Sequence, residues 1–380
     1  MTSTLAMAEN FGILDLLLKV GQILLLEHVL ILLGALMVWG ERRVAALMQD
    51  RVGPNRVGPA GLLQAIADLG KFIFKEDVVP GHVSKWMYVL APTIALVPAM
   101  ITFAVIPYAP GMQIADLNIG ILYILSIASL GVYGITLGGW ASNSKYALFG
   151  GVRASAQMIS YEVCLGISAV GALLMAGTLH LGELVTWQAN NGWFLFHQPL
   201  GFLIFLTSGY AETNRLPFDM PEAETELCAG YHVEYSSMKF ALFFLAEYTN
   251  MIVSSALVTT LFLGGWSLFG LENLGWAMGL LIFSVKTLFL LFVYLWIRWT
   301  LPRFRYDQLM AIGWKWLFPM ALVNVLATAG AQAMHLPWLR YVMPLVLIGI
   351  GIAAAAIAAK RDPGPPPLLD LPAPSPSLSR

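Results

Sequence analysis

Between Ala211 and Glu234 the chain reads AETNRLPFDMPEAETELCAGYHVE, with six carboxylates in a protein that is 11% charged overall. Carboxylates crowded beside apolar segments repel one another and favour their protonated forms, so they bind and release protons near neutral pH. Proton handling is therefore the chemistry this pattern suggests. Glu222 and Glu226 are four apart and would share a helical face, whereas Glu224 points elsewhere. Pro217 and Pro221 stop the preceding segment from running on as regular helix. From Glu212 to Glu226 five acids face one arginine, Arg215, a net charge of −4.

Further charges sit inside or at the ends of apolar runs. Glu41, Arg42 and Arg43 close the first run, Glu162 lies within the fourth, Glu212 ends the fifth, Glu247 enters the sixth and Lys286 sits mid-way along the seventh. A charge at a helix centre costs about 2.5–3.5 kcal/mol on insertion scales, so these groups must meet in a bundle interior. Glu162, Glu212 and Glu247 are expected to carry protons or contact a ligand, against the alternative of static buried ion pairs. Glu27 and His28 are adjacent, share no helix face, and read as structural. Lys286 has two open readings, neutralising a nearby carboxylate or joining in proton transfer.

The elements that must position these groups are membrane helices. The chain has 380 residues, 58% hydrophobic, with mean hydropathy +0.73, too apolar for a water-soluble domain. A span takes roughly 20 apolar residues. Nine runs qualify: 18–43, 86–107, 119–140, 155–177, 197–212, 239–264, 275–298, 315–335 and 339–358, the fifth being the shortest. The fold class expected is all-α, a polytopic membrane protein of about nine transmembrane helices. The odd connecting loops hold most of the Lys and Arg, including Arg42, Arg56, Lys71, Lys145, Arg215, Arg303 and Lys315. Cytoplasmic loops carry such an excess, which puts the N-terminus outside and the C-terminus in the cytoplasm. No basic region or small-residue cleavage site marks the first run as a signal peptide, so it is read as a retained span.

The first connecting loop contains one more helix. After the turn-rich VGPNRVGPAG, the stretch LLQAIADLGKFIFKED sets Leu62, Ile66, Leu69 and Ile73 on one face and Gln64, Asp68, Lys71 and Lys75 on another. At about 15 residues, roughly 22 Å, it is too short to span. It is expected to be an interfacial amphipathic helix with its apolar face toward the bilayer. Residues 1–360 thus form the transmembrane domain. The Pro-rich and Ser-rich tail 361–380 reads as a disordered cytoplasmic extension.

Cofactor signals are lacking. Cys164 and Cys228 form no CxxC pair, which argues against an iron-sulfur cluster or zinc on this chain. Gly349, Gly351 and Ala354 give a GxGxxA string inside an apolar run with no strand before it, read as helix packing rather than nucleotide binding. No metal and no nucleic-acid partner is expected.

Several separated strings then identify a resemblance: ERR at 41–43, GPNRVGPAGLLQAIADLGKFIFKE at 53–76, GWASNSKYALFGGVRASAQMISYE at 139–162, AETNRLPFDMPEAETEL at 211–227, EYSSMKFALFFLAEY at 234–248 and WIRWTLPRFRYDQLM at 296–310. Together they closely resemble the H subunit of respiratory complex I, the subunit 1 of NADH dehydrogenase in mitochondria. The resemblance implies a membrane subunit of a proton-translocating NADH:quinone oxidoreductase, docked among other membrane-arm and peripheral-arm subunits. Its substrate would be ubiquinone or menaquinone. FMN and iron-sulfur clusters would reside only in partner subunits, and the protein would lie in a bacterial inner membrane. By matching position, Glu41, Arg42, Asp68, Phe72, Phe244, Glu247 and Arg298 would line the quinone passage. Glu162, Glu212, Glu222, Glu224 and Glu226 would form the acidic route that couples quinone chemistry to proton movement. One departure stands in the third run, where some bacterial members place a carboxylate and ASLGVYG here offers Ser129.

Two other functions fit parts of the pattern. A membrane anchor of an energy-converting hydrogenase would need no quinone, and the complete first loop and the NRLPFDMPEAETEL string argue against it. An independent ion antiporter would show an internal repeat, and the hydropathy shows none.

Overall fold

The computed structural model describes residues 13–221, 230–268 and 270–334, with the helical positions 344, 346, 349 and 351 beyond them. Its regular elements are helices, and no strand occurs among the described residues. The longest, α1 (Ile13–Met48), has 36 residues. At 1.5 Å per residue that is about 54 Å, more than the ~30 Å hydrocarbon core, so the helix projects beyond it. Glu41, Arg42 and Arg43 sit on its final turns.

After a turn through Pro59–Gly61 comes α2 (Gln64–Phe74), none of whose residues is buried. Leu62, Ile66, Leu69 and Ile73 all stand exposed, as the amphipathic pattern leads one to expect of a helix whose apolar face meets something outside this chain. Its C-terminal end is pinned from the opposite side, where the Ser237 hydroxyl donates to the carbonyls of Phe72 and Lys75 at 2.8 and 3.0 Å.

The bundle proper follows: α3 (Lys85–Phe103), α4 (Gly120–Ala128), α5 (Leu130–Ala141), α6 (Lys145–Ala176), α7 (Leu181–Asn191), α8 (Phe194–His197), α9 (Pro199–Glu212), α10 (Ser237–Phe262), α11 (Trp276–Thr300), α12 (Tyr306–Ala311) and α13 (Phe318–Ala333). Ser129 joins α4 to α5 within one apolar stretch, its hydroxyl turned back on Ser126 O at 2.8 Å. A wider π-type turn, Ile312–Leu317, joins α12 to α13.

Seven helices or joined helices are long and apolar enough to cross a membrane: Leu16–Met48, Lys85–Phe103, Gly120–Ala141, Lys145–Ala176, Ser237–Phe262, Trp276–Thr300 and Tyr306–Ala333. They correspond to seven of the nine runs. The fifth run, expected as the shortest, yields a helix too short to be one of these seven. Its helix, α9, has 14 residues, about 21 Å, because the chain turns through Gln198 and enters the helix at Pro199. Its Leu200, Ile204, Phe205, Ser208 and Tyr210 bury against neighbouring helices. The ninth run, 339–358, lies outside the described residues apart from the four isolated helical positions, and the tail 361–380 lies wholly outside them.

Small residues set the closest approaches. A Cβ on Gly134 of α5 would lie 2.5 Å from the backbone nitrogen of Ala95 on α3, and one on Gly150 of α6 would lie 2.7 Å from Tyr231 N. Between membrane helices, where lipid is as apolar as the side chains, such close backbone packing supplies much of the association energy. The main core joins Tyr161, Leu165, Phe205, Tyr210, Ile252 and Tyr294, drawing on α6, α9, α10 and α11. A second cluster packs Tyr88, Ile135, Met158, Tyr231, Tyr235 and Phe243. Between these two cores lie the charged groups. Gly134→Val is expected to force α3 and α5 apart at a cost of about 1–3 kcal/mol, read as a lower melting temperature in detergent. An unchanged melting curve would show that the contact carries no strain.

Candidate functional site

Four charged side chains from four elements meet in the interior. Glu41 comes from α1, Arg215 from the turn after α9, Glu247 from α10 and Arg298 from the last turns of α11. Arg215 Nη1 donates to Glu41 Oε2 at 3.4 Å while its Nη2 lies 3.4 Å from Glu247 Oε2. Arg298 closes the arrangement by pairing with the other oxygen of Glu41. Two phenols complete it, Tyr248 donating to Glu41 at 2.9 Å and Tyr231 to Glu247 at 3.3 Å. The Arg215 guanidinium also sits 4.2 Å over the Tyr248 ring. Glu41, Arg215 and Glu247 are only 7%, 5% and 7% exposed. Charges so buried persist only when paired, and two acids against two arginines make a neutral quartet.

The turn that delivers Arg215 is held by hydrogen bonds. Asn214 takes a left-handed φ of 54°, which asparagine tolerates better than most residues. Phe218 N donates to Arg215 O at 2.8 Å, and the Tyr210 hydroxyl lies 2.6 Å from Leu216 O. The Leu216–Pro217 peptide is cis. Beyond it Asp219 pairs with Arg303 at 2.8 Å, tying the turn to the chain after α11.

A stripe on α10 leads to the quartet. Phe240, Phe244 and Glu247 recur at helical spacing and lie on one face. Phe72 of α2 approaches Phe240 at 6.1 Å between ring centroids, Phe240 lies 4.6 Å from Phe244, and His232 packs edge-on to both. Arg42 and Asp68 pair at 2.7 Å between α1 and α2, at the exposed end of this stripe. Of the seven residues expected on the passage, Glu41, Glu247 and Arg298 therefore converge in one network. Phe72 and Phe244 belong to the aromatic stripe through Phe240, and Arg42 with Asp68 makes a separate, more exposed pair.

Of the five acidic residues, Glu212 shares a small cavity with Glu247. A cavity of about 20 Å³, large enough for a single water, is lined by Glu247, Glu212, Thr213, Asn214, Tyr231 and Asn250. Glu162, half-buried on α6, lies within electrostatic reach of Glu212. Glu222, Glu224 and Glu226 lie outside the described residues. Just before α10, the buried Tyr235 donates to Tyr88 O at 3.1 Å. Burial, with Tyr88 beside it, pushes the Tyr235 phenol well above the usual tyrosine range, so it stays a donor.

Lys286 lies within electrostatic reach of one carboxylate, Glu272, and also caps a helix. Its ammonium donates to the carbonyls of Leu263, Gly265 and Ser267 at 2.6, 3.0 and 2.5 Å and lies 4.6 Å over Trp193. These carbonyls follow the C-terminus of α10, where unsatisfied oxygens and the helix dipole favour a cation. Lys286 is thus a cap on α10 with Glu272 nearby, apart from Glu41, Glu247 and Glu212. His28 bonds Leu24 O one turn back on α1 at 2.7 Å, consistent with a structural role.

Sequence reasoning missed Arg215, Tyr231 and Tyr248. Arg215 entered it only as one positive charge in an acidic loop. The available signal was that this lone cation stands beside Asn214 and Pro217, residues that fold a chain back on itself.

With this geometry in view, comparison with known proteins is direct. The sequence matches the family described as NADH dehydrogenase over residues 21–329. It is 52% identical over 324 residues to the first of the H subunits of NADH-quinone oxidoreductase in Geobacter metallireducens, covering 83% of this chain and 96% of that protein. To the H subunit of NADH-quinone oxidoreductase from Rickettsia bellii it is 54% identical over 313 residues, covering 81% and 92%. To NADH-quinone oxidoreductase subunit 8 of Rhodothermus marinus it is 48% identical over 322 residues, covering 80% and 94%.

The quartet makes an energetic prediction. Glu41→Gln leaves Arg215 and Arg298 facing a neutral amide and is expected to cost about 3–5 kcal/mol. Adding Arg298→Met restores neutrality and should recover most of the lost melting temperature. Equal melting of the single and double variants would show that the pairing carries no energy.

Proposed function

We propose, from the premise that the chain belongs to the NADH dehydrogenase family and is a membrane subunit of an NADH-quinone oxidoreductase, that it forms part of the quinone chamber and couples quinone reduction to proton translocation. The other subunits of that complex are its partners. The observation that carries the reading is that one residue, Glu247, both ends the Phe240–Phe244 stripe and lines the cavity reached by Glu212.

On this reading the isoprenoid tail lies against Phe72, Phe240 and Phe244, an apolar lining suited to a long hydrocarbon. Arg42 and Asp68 flank the mouth, and the arginines and carboxylates of the quartet bias the headgroup by charge. Electrons come from partner subunits, which hold FMN and iron-sulfur clusters. Quinone reduction takes up two electrons and two protons to give the quinol, and the transient negative charge shifts the balance among Glu41, Arg215, Glu247 and Arg298. Glu247 then takes or gives a proton across one water to Glu212. Glu162, and Glu222, Glu224 and Glu226 beyond it, continue the route toward the rest of the membrane arm. The membrane is the bacterial inner membrane, with the N-terminus outside and the C-terminus in the cytoplasm. The names of the relatives reported above favour this reading over the hydrogenase anchor.

Two sets of variants test it. Glu212→Gln or Glu247→Gln should lower quinone-linked NADH oxidation about tenfold or more while leaving NADH:ferricyanide activity intact. Quinone activity equal to wild type in an assembled variant would remove both residues from the coupling route. Arg298→Ala and Arg42→Ala should raise the apparent quinone KM or change inhibitor sensitivity, and assembled variants with wild-type values would assign them a structural role only.

A further inference from the structure

Gln157 lies on α6, fully buried, and neither the passage nor the acidic route uses it. Its amide nitrogen contacts three oxygens of the Arg215 turn: Ala211 O at 2.8 Å, Phe218 O at 2.7 Å and Asn214 Oδ1 at 3.2 Å. Ala211 and Phe218 bracket Arg215 in sequence, so one side chain clamps the turn at both ends. The amide orientation follows from this environment, since a flipped Gln157 would aim its oxygen at three acceptors. Asn214 is held further by its own amide, which donates to Met158 Sδ at 3.3 Å, one residue along α6 from Gln157. Arg215 in turn touches Glu41 and Glu247 at 3.4 Å each, contacts at the long end of the ion-pair range. At that length a shift of a few tenths of an ångström decides whether the guanidinium is shared or falls to one acid.

We infer that Gln157 is a positioning residue, which sets Arg215 midway between Glu41 and Glu247 and so fixes the charge presented to quinone. The inference rests on the function proposed above. Gln157 stands one turn from Arg153 and five residues before Glu162 on the same helix, so α6 carries both the clamp and a member of the acidic route. A movement of α6 at Glu162 therefore reaches Arg215 through this amide. Ala211 O also accepts from Asn214 N at 3.3 Å, so an apolar isostere at Gln157 removes the clamp mainly at Phe218 O.

The test uses the assembled complex carrying Gln157→Met, which keeps the volume and removes the donors, and Gln157→Asn, whose amide falls one methylene short of the turn. Both are expected to raise the quinone KM about three- to tenfold with kcat at saturating quinone largely kept, a split that a general loss of folded protein would not give. Arg215→Lys in the same preparations should raise KM as well, and adding Gln157→Met to it should bring little further change, because the two act through one guanidinium. Wild-type KM in both Gln157 variants alongside a raised KM in Arg215→Lys would overturn the positioning role alone. Wild-type quinone kinetics in Arg215→Lys would instead overturn the reading of the site. Failure of both Gln157 variants to assemble while Arg215→Lys assembles would likewise overturn the inference, by making Gln157 a folding residue.

Discussion

Everything at the centre of this protein depends on keeping two carboxylates and two guanidiniums charged where water is scarce. Glu41, Arg215, Glu247 and Arg298 are stable there only as a neutral set, because each lost partner leaves an uncompensated buried charge. The fold is arranged to keep them together. α1 extends far enough to carry Glu41 to the site, α10 and α11 bring Glu247 and Arg298, and the turn after α9 folds back to insert Arg215. Tyr231 and Tyr248 supply hydrogen bonds that soften the burial without adding charge.

That neutrality also gives the site its sensitivity. Arg215 is shared between two acids at equal distance, so any new charge nearby redistributes it. An aromatic stripe reaches the quartet, and a water-sized cavity joins it to Glu212. In the function proposed for this membrane subunit of an NADH-quinone oxidoreductase, quinone chemistry must be felt by these buried side chains. A balanced set of buried charges is well suited to receive it, because in a low-dielectric interior a single added charge acts strongly over a few ångströms.

Much of this was legible in the sequence, for identifiable reasons. Spans announce themselves by about 20 continuous apolar residues, and charged residues within them stand out by their cost, which is how Glu41, Glu162, Glu212 and Glu247 were recognised, whereas Arg298 came only from the family resemblance. The fifth run, 197–212, matched α9 to within two residues, Pro199–Glu212, its start marked by Gln198 and Pro199. Arg215 escaped because nothing periodic encodes a fold-back. Its place depends on a left-handed Asn214 and on Gln157, 58 residues earlier, contacts visible only once α6 and the turn are packed. Lys286 was recognised as costly, but its three carbonyl partners lie in a turn whose path the sequence pattern did not specify.

On the proposed function, Glu247 changes protonation or hydrogen bonding when quinone is reduced. Redox-induced infrared difference spectroscopy on the intact complex, wild type against Glu247→Gln, addresses it directly. The account predicts a carboxyl stretching signal in wild type that disappears in the variant, whose substituted side chain contributes only in the amide region. Identical difference spectra from the two assembled proteins would show that the quartet does not respond to quinone chemistry.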